Sequence, residues 1–249
     1  MARILEICID SLASARAAIR GGADRLELCS ALALGGLTPY TALLEQIREE
    51  STIPVRCLMR PRSGDFLYNQ DEIDLMVRQI RELKSAGADG FVIGCLCADG
   101  ALDLEAMKPL IHAAGKTGLT LHRCIDVSAD PVSTYQQAAS LGIDTILTSG
   151  AADSCLKGLP TLSTLLELRD ATNGPEVLIG AGVNAASIQT LRNALPKAQA
   201  FHASCKELIE SKMDFRRQDV PMGLPGLDEW HTQQTDEVQV RILKNAICM

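Results

Sequence analysis

Positive charge is in short supply in this chain: 249 residues carry 24 Lys and Arg against 31 Asp and Glu, a formal net charge of −7. Nucleic acid and anionic membrane surfaces attract the opposite sign, so neither is an expected partner. Long hydrophobic runs are also missing. None reaches the roughly 18 residues a spanning helix needs, and residues 1–3 lead straight into a strand pattern without a signal-peptide core. The expected compartment is the cytoplasm. Regular cysteine spacing is absent too: the nine cysteines are odd in number and match neither a disulfide framework nor a zinc finger, which leaves free thiols. Aromatic residues make up only 3%, so any two that fall together stand out.

What the chain does have is 47% hydrophobic and 22% charged residues, enough for one large core. Strand patterns at 3–9, 25–29, 54–60, 90–96, 119–125, 145–148, 177–181 and 200–204 alternate with helix patterns at 11–20, 40–50, 71–86, 104–114, 131–141, 159–171, 185–194 and 236–247. Eight such units in about 250 residues predict a (β/α)₈ TIM barrel, one domain over 1–249 with no linker. A doubly wound sheet ranks second. Gly22-Ala23-Asp24, Gly87-Ala88-Asp89 and Gly142-Ile143-Asp144 each fall between a helix and a strand and read as helix stops at the bottom of the barrel.

Leu5-Glu6-Ile7-Cys8 and Leu26-Glu27-Leu28-Cys29 repeat one tetrapeptide in the first two strands. Strand alternation puts the leucines and isoleucine on one face and acid and thiol on the other. In a closed barrel the second face looks into the lumen, where carboxylates are costly unless paired or bound to something. Strand three ends in Arg60-Pro61-Arg62, strand five in His122-Arg123-Cys124-Ile125-Asp126, and strand eight carries His202. The run His122-x-Cys124-x-Asp126 then matches Glu6-x-Cys8-x-Asp10 in register, and alternation turns Arg123 away from His122 toward the helices.

Chemistry in this fold gathers at the C-terminal strand ends. Glu6 or Glu27 as acid or base, His122 as proton carrier, and Arg60 with Arg123 as anion contacts would suit an enzyme acting on a small anionic, even phosphorylated, metabolite. The bland alternative is an ion-pair network that only fixes the barrel. Asp10 and Asp126 read first as helix caps and second as ligand contacts. His202 is either a satisfied core histidine or a ligand contact. Gly180-Ala181-Gly182 offers a weak phosphate-binding signal centred on Gly182. The loop at 61–70 holds Phe66 and Tyr68 and reads as a lid or an oligomer contact.

Cys8 and Cys29 occupy equivalent places on neighbouring strands, which run about 4.8 Å apart. That separation is compatible with a soft metal held by two thiolates at about 2.3 Å each. Buried cysteine is also a small hydrophobe, the competing reading. Cys95 and Cys97, on one face of strand four, stand about 6.6 Å apart by two residues of rise and suit one metal less well.

Leu26-Glu27-Leu28-Cys29, Gly35-Gly36-Leu37-Thr38-Pro39, Arg60-Pro61-Arg62-x-Gly64-Asp65-Phe66, His122-Arg123-x-x-Asp126, Leu147-Thr148-Ser149-Gly150 and Gly180-Ala181-Gly182-Val183 together resemble the CutC family. The resemblance runs from the first strand to the eighth. It implies a cytoplasmic (β/α)₈ barrel, usually a homo-oligomer such as a dimer or tetramer, associated with copper homeostasis and with Cu(I) binding at the cysteines matching Cys8 and Cys29. Ser63 stands where that family usually has glycine, and Cys124-Ile125 where it has Ala-Phe. Cys124 would either add a third thiol near the mouth or fill the smaller residue's place.

Overall fold

Alternation decides what each strand presents to either side. Leu5, Ile7 and Ile9 of the first strand, Leu26 and Leu28 of the second, and Val55 and Cys57 of the third are buried in one continuous outer core beneath the helices. The opposite parity faces the lumen, where apolar content shrinks to two small clusters, Cys29 with Leu58 and Val92, and Leu147 with Leu178 and Ala200. The remainder of the lumen face is polar or charged, so the barrel is held by its outer layer and its interior is free to carry chemistry.

The computed structural model describes residues 3–217, 220, 222–223 and 228–248. Strands β1 (Ile4–Ile9), β2 (Arg25–Leu28), β3 (Val55–Leu58), β4 (Gly90–Ile93), β5 (Gly118–Leu121), β6 (Thr145–Thr148), β7 (Glu176–Ile179) and β8 (Ala200–Ala203) form a closed barrel in sequence order. All neighbours are parallel, and β1 closes on β8 with Glu6 opposite His202. Closure rules out the doubly wound arrangement, which leaves two edges. Helices α1 (Leu12–Gly21), α2 (Thr41–Glu50), α3 (Gln70–Ser85), α4 (Leu104–Ala114), α5 (Pro131–Ser140), α6 (Leu159–Thr172), α7 (Ile188–Ala194) and α8 (Glu237–Cys248) cover the outside.

The glycine-x-aspartate repeat does more than stop helices. Gly22, Gly87 and Gly142 take positive φ as expected. The aspartates then clamp strand pairs at the bottom: Asp24 accepts from Leu5 N at 2.7 Å, Asp89 from Val55 N at 2.8 Å, and Asp144 from Leu119 N at 2.6 Å. Lys244, Arg48 and Arg56 respectively pair with them.

Three expectations need correction. Strand β5 stops at Leu121, because the His122 side chain accepts from Cys124 N at 3.2 Å and starts a 3-10 turn over Arg123–Val127. Strand β4 stops at Ile93, so Cys95 and Cys97 lie beyond it, with Leu96 bridged to Leu102 in the following loop. The irregular stretch after β8 contains an antiparallel hairpin, β9 (Lys206–Glu210) with β10 (His231–Thr235). Cys205, at φ 45°, turns the chain into it, and Thr235 N donates to Ser14 Oγ of α1 at 3.1 Å. Among the described residues no helix is long and apolar enough to cross a membrane.

Candidate functional site

Arg25, Glu27 and Cys29 follow one another at two-residue spacing on the lumen side of β2, and Glu6 and Cys8 do the same on β1. The lower layer is an ion-pair network. Glu6 is completely buried, with Arg25 Nε donating to one carboxylate oxygen and His202 Nδ1 at 2.8 Å from the other. Burial alone would raise its pKa, but Arg25 and His202 outweigh burial and hold it down at about 2. Arg56 reaches across the lumen to Thr120 Oγ1 at 2.6 Å, Thr145 Oγ1 at 3.0 Å and Asp144 Oδ1 at 2.7 Å. Its guanidinium passes where side chains on β4 and β5 would stand: a Cβ at Gly118 would lie 2.7 Å from Arg56 Nη2.

Above this layer, Cys8 Sγ, a Glu27 carboxylate oxygen and a His202 ring nitrogen all lie within 4.8 Å of one another. His202 Nε2 is 3.7 Å from Glu27 Oε2, while its Nδ1 is taken by Glu6. Glu27 is raised by burial, with the Glu6 charge adding to the effect. Burial pushes His202 the other way from its neighbours, yet Cys8, Glu27 and Glu6 prevail and raise it well above an ordinary histidine. His202 thus stands between the carboxyl groups of Glu6 and Glu27. Cys8 is half-buried and its thiol donates to Ala203 O at 3.6 Å. Cys29 is buried against Leu58 and Val92, donates to Glu27 Oε2 at 3.5 Å, and is pushed far up by burial and by Glu27.

Cys8, Glu27 and His202 line one side of a cavity of about 460 Å³ at the barrel mouth. Arg60, Phe66, His122, Arg123 and Asp126 belong to the same lining. Arg60 is buried, its Nη1 donating to the carbonyls of Leu34 and Gly36, both at 3.1 Å, and its Nη2 to Gly64 O at 2.9 Å. It thereby fastens the loops after β2 and β3 together. His122 is buried between Phe66, whose ring centroid is 4.7 Å away, and Gly94, where a Cβ would come within 2.5 Å of its ring. Burial and the Arg60 charge lower its pKa to about 3, so the imidazole is neutral.

The 3-10 turn after β5 reorders the expected register. It breaks the match between His122-x-Cys124-x-Asp126 and the first strand, and it brings Arg123 to the cavity beside His122 rather than out toward the helices. Cys124 is buried in the outer core and is not part of the cavity lining. Asp126 caps no following helix: it accepts from Arg123 Nε at 2.7 Å, from Ser149 N and Oγ, from Thr148 Oγ1 at 2.5 Å and from Ala151 N, and so pins the loop after β6. Ser11, not Asp10, caps α1, and Asp10 reaches Leu32 N at 3.3 Å instead. Gly182 lies in the turn ahead of α7, its carbonyl accepting from Ser187 Oγ at 2.8 Å, away from the cavity lining. Arg25, two residues before Glu27 on the same face, was legible by the alternation that selected Glu27. Lys206, which also lines the cavity, follows a turn that alternation does not foresee.

On structure alone, the chain is a TIM barrel with a thiol, a carboxylate and an imidazole gathered at its C-terminal mouth. Residues 3–206 match the CutC family model, and the chain belongs to that family. A CutC protein of Xanthomonas campestris is 44% identical over 209 residues, covering 84% of this chain and 86% of the relative. The human copper homeostasis protein cutC homolog is 39% identical over 245 residues, 98% of this chain and 88% of that one. The crystal structure of a CutC protein from Streptococcus agalactiae superimposes with a TM-score of 0.75 at 28% identity, covering 80% of this chain and 97% of that one.

Proposed function

We propose that this protein handles copper in the cytoplasm, taking Cu(I) as cargo at the barrel mouth through the Cys8 thiolate and His202 Nε2. The observation that carries the reading is the Cys8–Glu27–His202 set, whose donor atoms lie within 4.8 Å of one another. A thiolate and an imidazole are a soft and a borderline donor, a pair that suits Cu(I). Glu6 at 2.8 Å from His202 Nδ1 is the outer carboxylate that ligating histidines commonly have. Glu27 offers a hard oxygen that Cu(I) uses poorly, and serves the bound state by balancing charge. Cys29, expected as the partner thiolate of Cys8, is outside this set: the register sets Cys8 opposite Glu27, and Cys29 packs with Leu58 and Val92 and donates to Glu27 Oε2 at 3.5 Å. The copper homeostasis name of the human relative supports the choice of metal. Assembly into a homo-oligomer belongs to the same proposal, supported by exposed Leu208, Met213 and Phe215 on the excursion after β8.

The test is an anaerobic Cu(I) competition against a chromogenic chelator, on wild type and on Cys8→Ser, Cys29→Ser and His202→Asn. Stoichiometric binding that collapses in Cys8→Ser and His202→Asn is the expected result. Binding that survives both substitutions would sink the reading.

A further inference from the structure

Two residues of the cavity lining carry covered donors: among the described residues, His122 Nε2 and Arg60 Nε are buried without a hydrogen-bond partner. Buried polar groups are nearly always satisfied, so each exception calls for an explanation, a strained or catalytic role or a bound water or ion among them. The tautomer of His122 follows from geometry: Cys124 N donates to Nδ1 at 3.2 Å, so Nδ1 is the bare acceptor and Nε2 carries the proton. A ring kept neutral by burial and by Arg60 has that N–H as its single donor.

Arg60 has a second deficit. Its Nη groups are spent on three backbone carbonyls, which satisfy hydrogen bonding but not charge. Among the described residues no carboxylate pairs with this buried guanidinium. Phe66 holds the two together, its ring centroid 4.7 Å from that of His122 and 5.2 Å from Arg60 Cζ. Asp126, an acid of the same lining, is already consumed by Arg123 and the loop after β6. Much of the remaining lining is apolar, with Leu34, Leu58 and Leu147 among it.

We infer that the cavity binds a small monocarboxylate with a short apolar body, its head group accepting from His122 Nε2–H in the field of Arg60. One uncompensated buried charge matches a monoanion, and a charge-assisted hydrogen bond from a neutral donor is strong in such surroundings. A dianion such as phosphate would bring a second negative charge toward Glu27 and Asp126 in the same lining. The site stands apart from the copper reading, since neither His122 nor Arg60 belongs to the Cys8–Glu27–His202 set.

The experiment is calorimetric titration of the full chain, metal-free in chelator and reductant, with butyrate, 2-oxobutyrate, butyramide and inorganic phosphate. At least one of the two carboxylates binds, with butyramide and phosphate ten-fold weaker or worse. His122→Asn keeps an acceptor near the Nδ1 position for Cys124 N but deletes the Nε2 donor, and lowers carboxylate affinity roughly 10- to 100-fold. His122→Gln restores a donor near Nε2 and recovers most of the binding, which a capping role for His122 would not predict. Failure of both carboxylates to bind, equal binding of butyramide, preference for phosphate, or wild-type affinity in His122→Asn overturns the proposal. Should His122→Asn not fold, His122→Gln and the butyramide comparison still decide.

Discussion

His202 Nδ1 stands 2.8 Å from Glu6 Oε1, and that contact decides which imidazole nitrogen is left for the cavity. The same carboxylate takes a hydrogen bond from Arg25 Nε through its other oxygen. One buried acid thus joins the structural layer of the lumen to the layer that faces the ligand space.

Replacing Glu6 by glutamine keeps the shape and removes the charge on which two buried cations depend. Removing one member of a buried pair leaves the other uncompensated, a loss of about 3–5 kcal/mol. Urea denaturation at pH 7 should record it as a lowered midpoint at unchanged slope. Arg16→Ala, which breaks the exposed pair with Glu50, should barely move the midpoint. Equal shifts in the two variants would mean that the lumen network contributes no more than a surface ion pair.

His122 predicts a specific pH dependence. Its folded pKa, about 3, lies below its unfolded value near 6.5, so between these limits the unfolded chain binds a proton that the folded chain refuses. Stability is fully present above pH 6.5 and is lost as pH falls, with a slope approaching about 1.4 kcal/mol per pH unit. Glu6 is silent until the pH drops below its ordinary range near 4.5, because its folded value is depressed. Glu27, raised in the fold, acts in the opposite direction, gaining stability as pH falls through its folded value. His202, also raised, loses its contribution only as pH rises above 6.5. The wild type minus His122→Asn difference isolates the one group: the melting temperature of the wild type should fall relative to that of the variant from pH 7 to pH 5. Parallel curves would mean that His122 takes up its proton as readily in the fold as in the unfolded chain.

The strand-helix alternation was legible because each unit carries its own periodicity and its own glycine stop. Parity alone found Glu6, Glu27 and the two cysteines, and it would have found Arg25, whose lumen place follows from that of Glu27. Where parity failed, the backbone had stopped being a strand. The His122 side chain competes for Cys124 N and ends β5, which moves Arg123 to the cavity and Cys124 into the outer core. Asp126 could not be assigned from local sequence, since its partners at Thr148, Ser149 and Ala151 are brought to it by the barrel. Side-chain reach across the lumen was equally hidden: Arg56 crosses it only because β4 and β5 begin with glycine.

The nine thiols divide by access, and alkylation reads that division directly. Cys248 is exposed, Cys8 and Cys97 are half-buried, and the other six are buried. Burial pushes Cys57, Cys95 and Cys205 up to about 12 and raises Cys29 and Cys124 well above an ordinary thiol, so their reactive thiolate forms are scarce as well as shielded. Iodoacetamide on the native protein at pH 8, followed by peptide mass spectrometry, should label Cys248, Cys97 and Cys8 and leave the rest until denaturant is added. One equivalent of Cu(I), added anaerobically, should then slow Cys8 while Cys248 serves as the unliganded control. Protection of Cys8 and Cys248 alike would indicate adventitious copper on any accessible thiol. Unchanged labelling of Cys8 would remove the thiolate from the copper site altogether, and with it the proposal built on Cys8, Glu27 and His202.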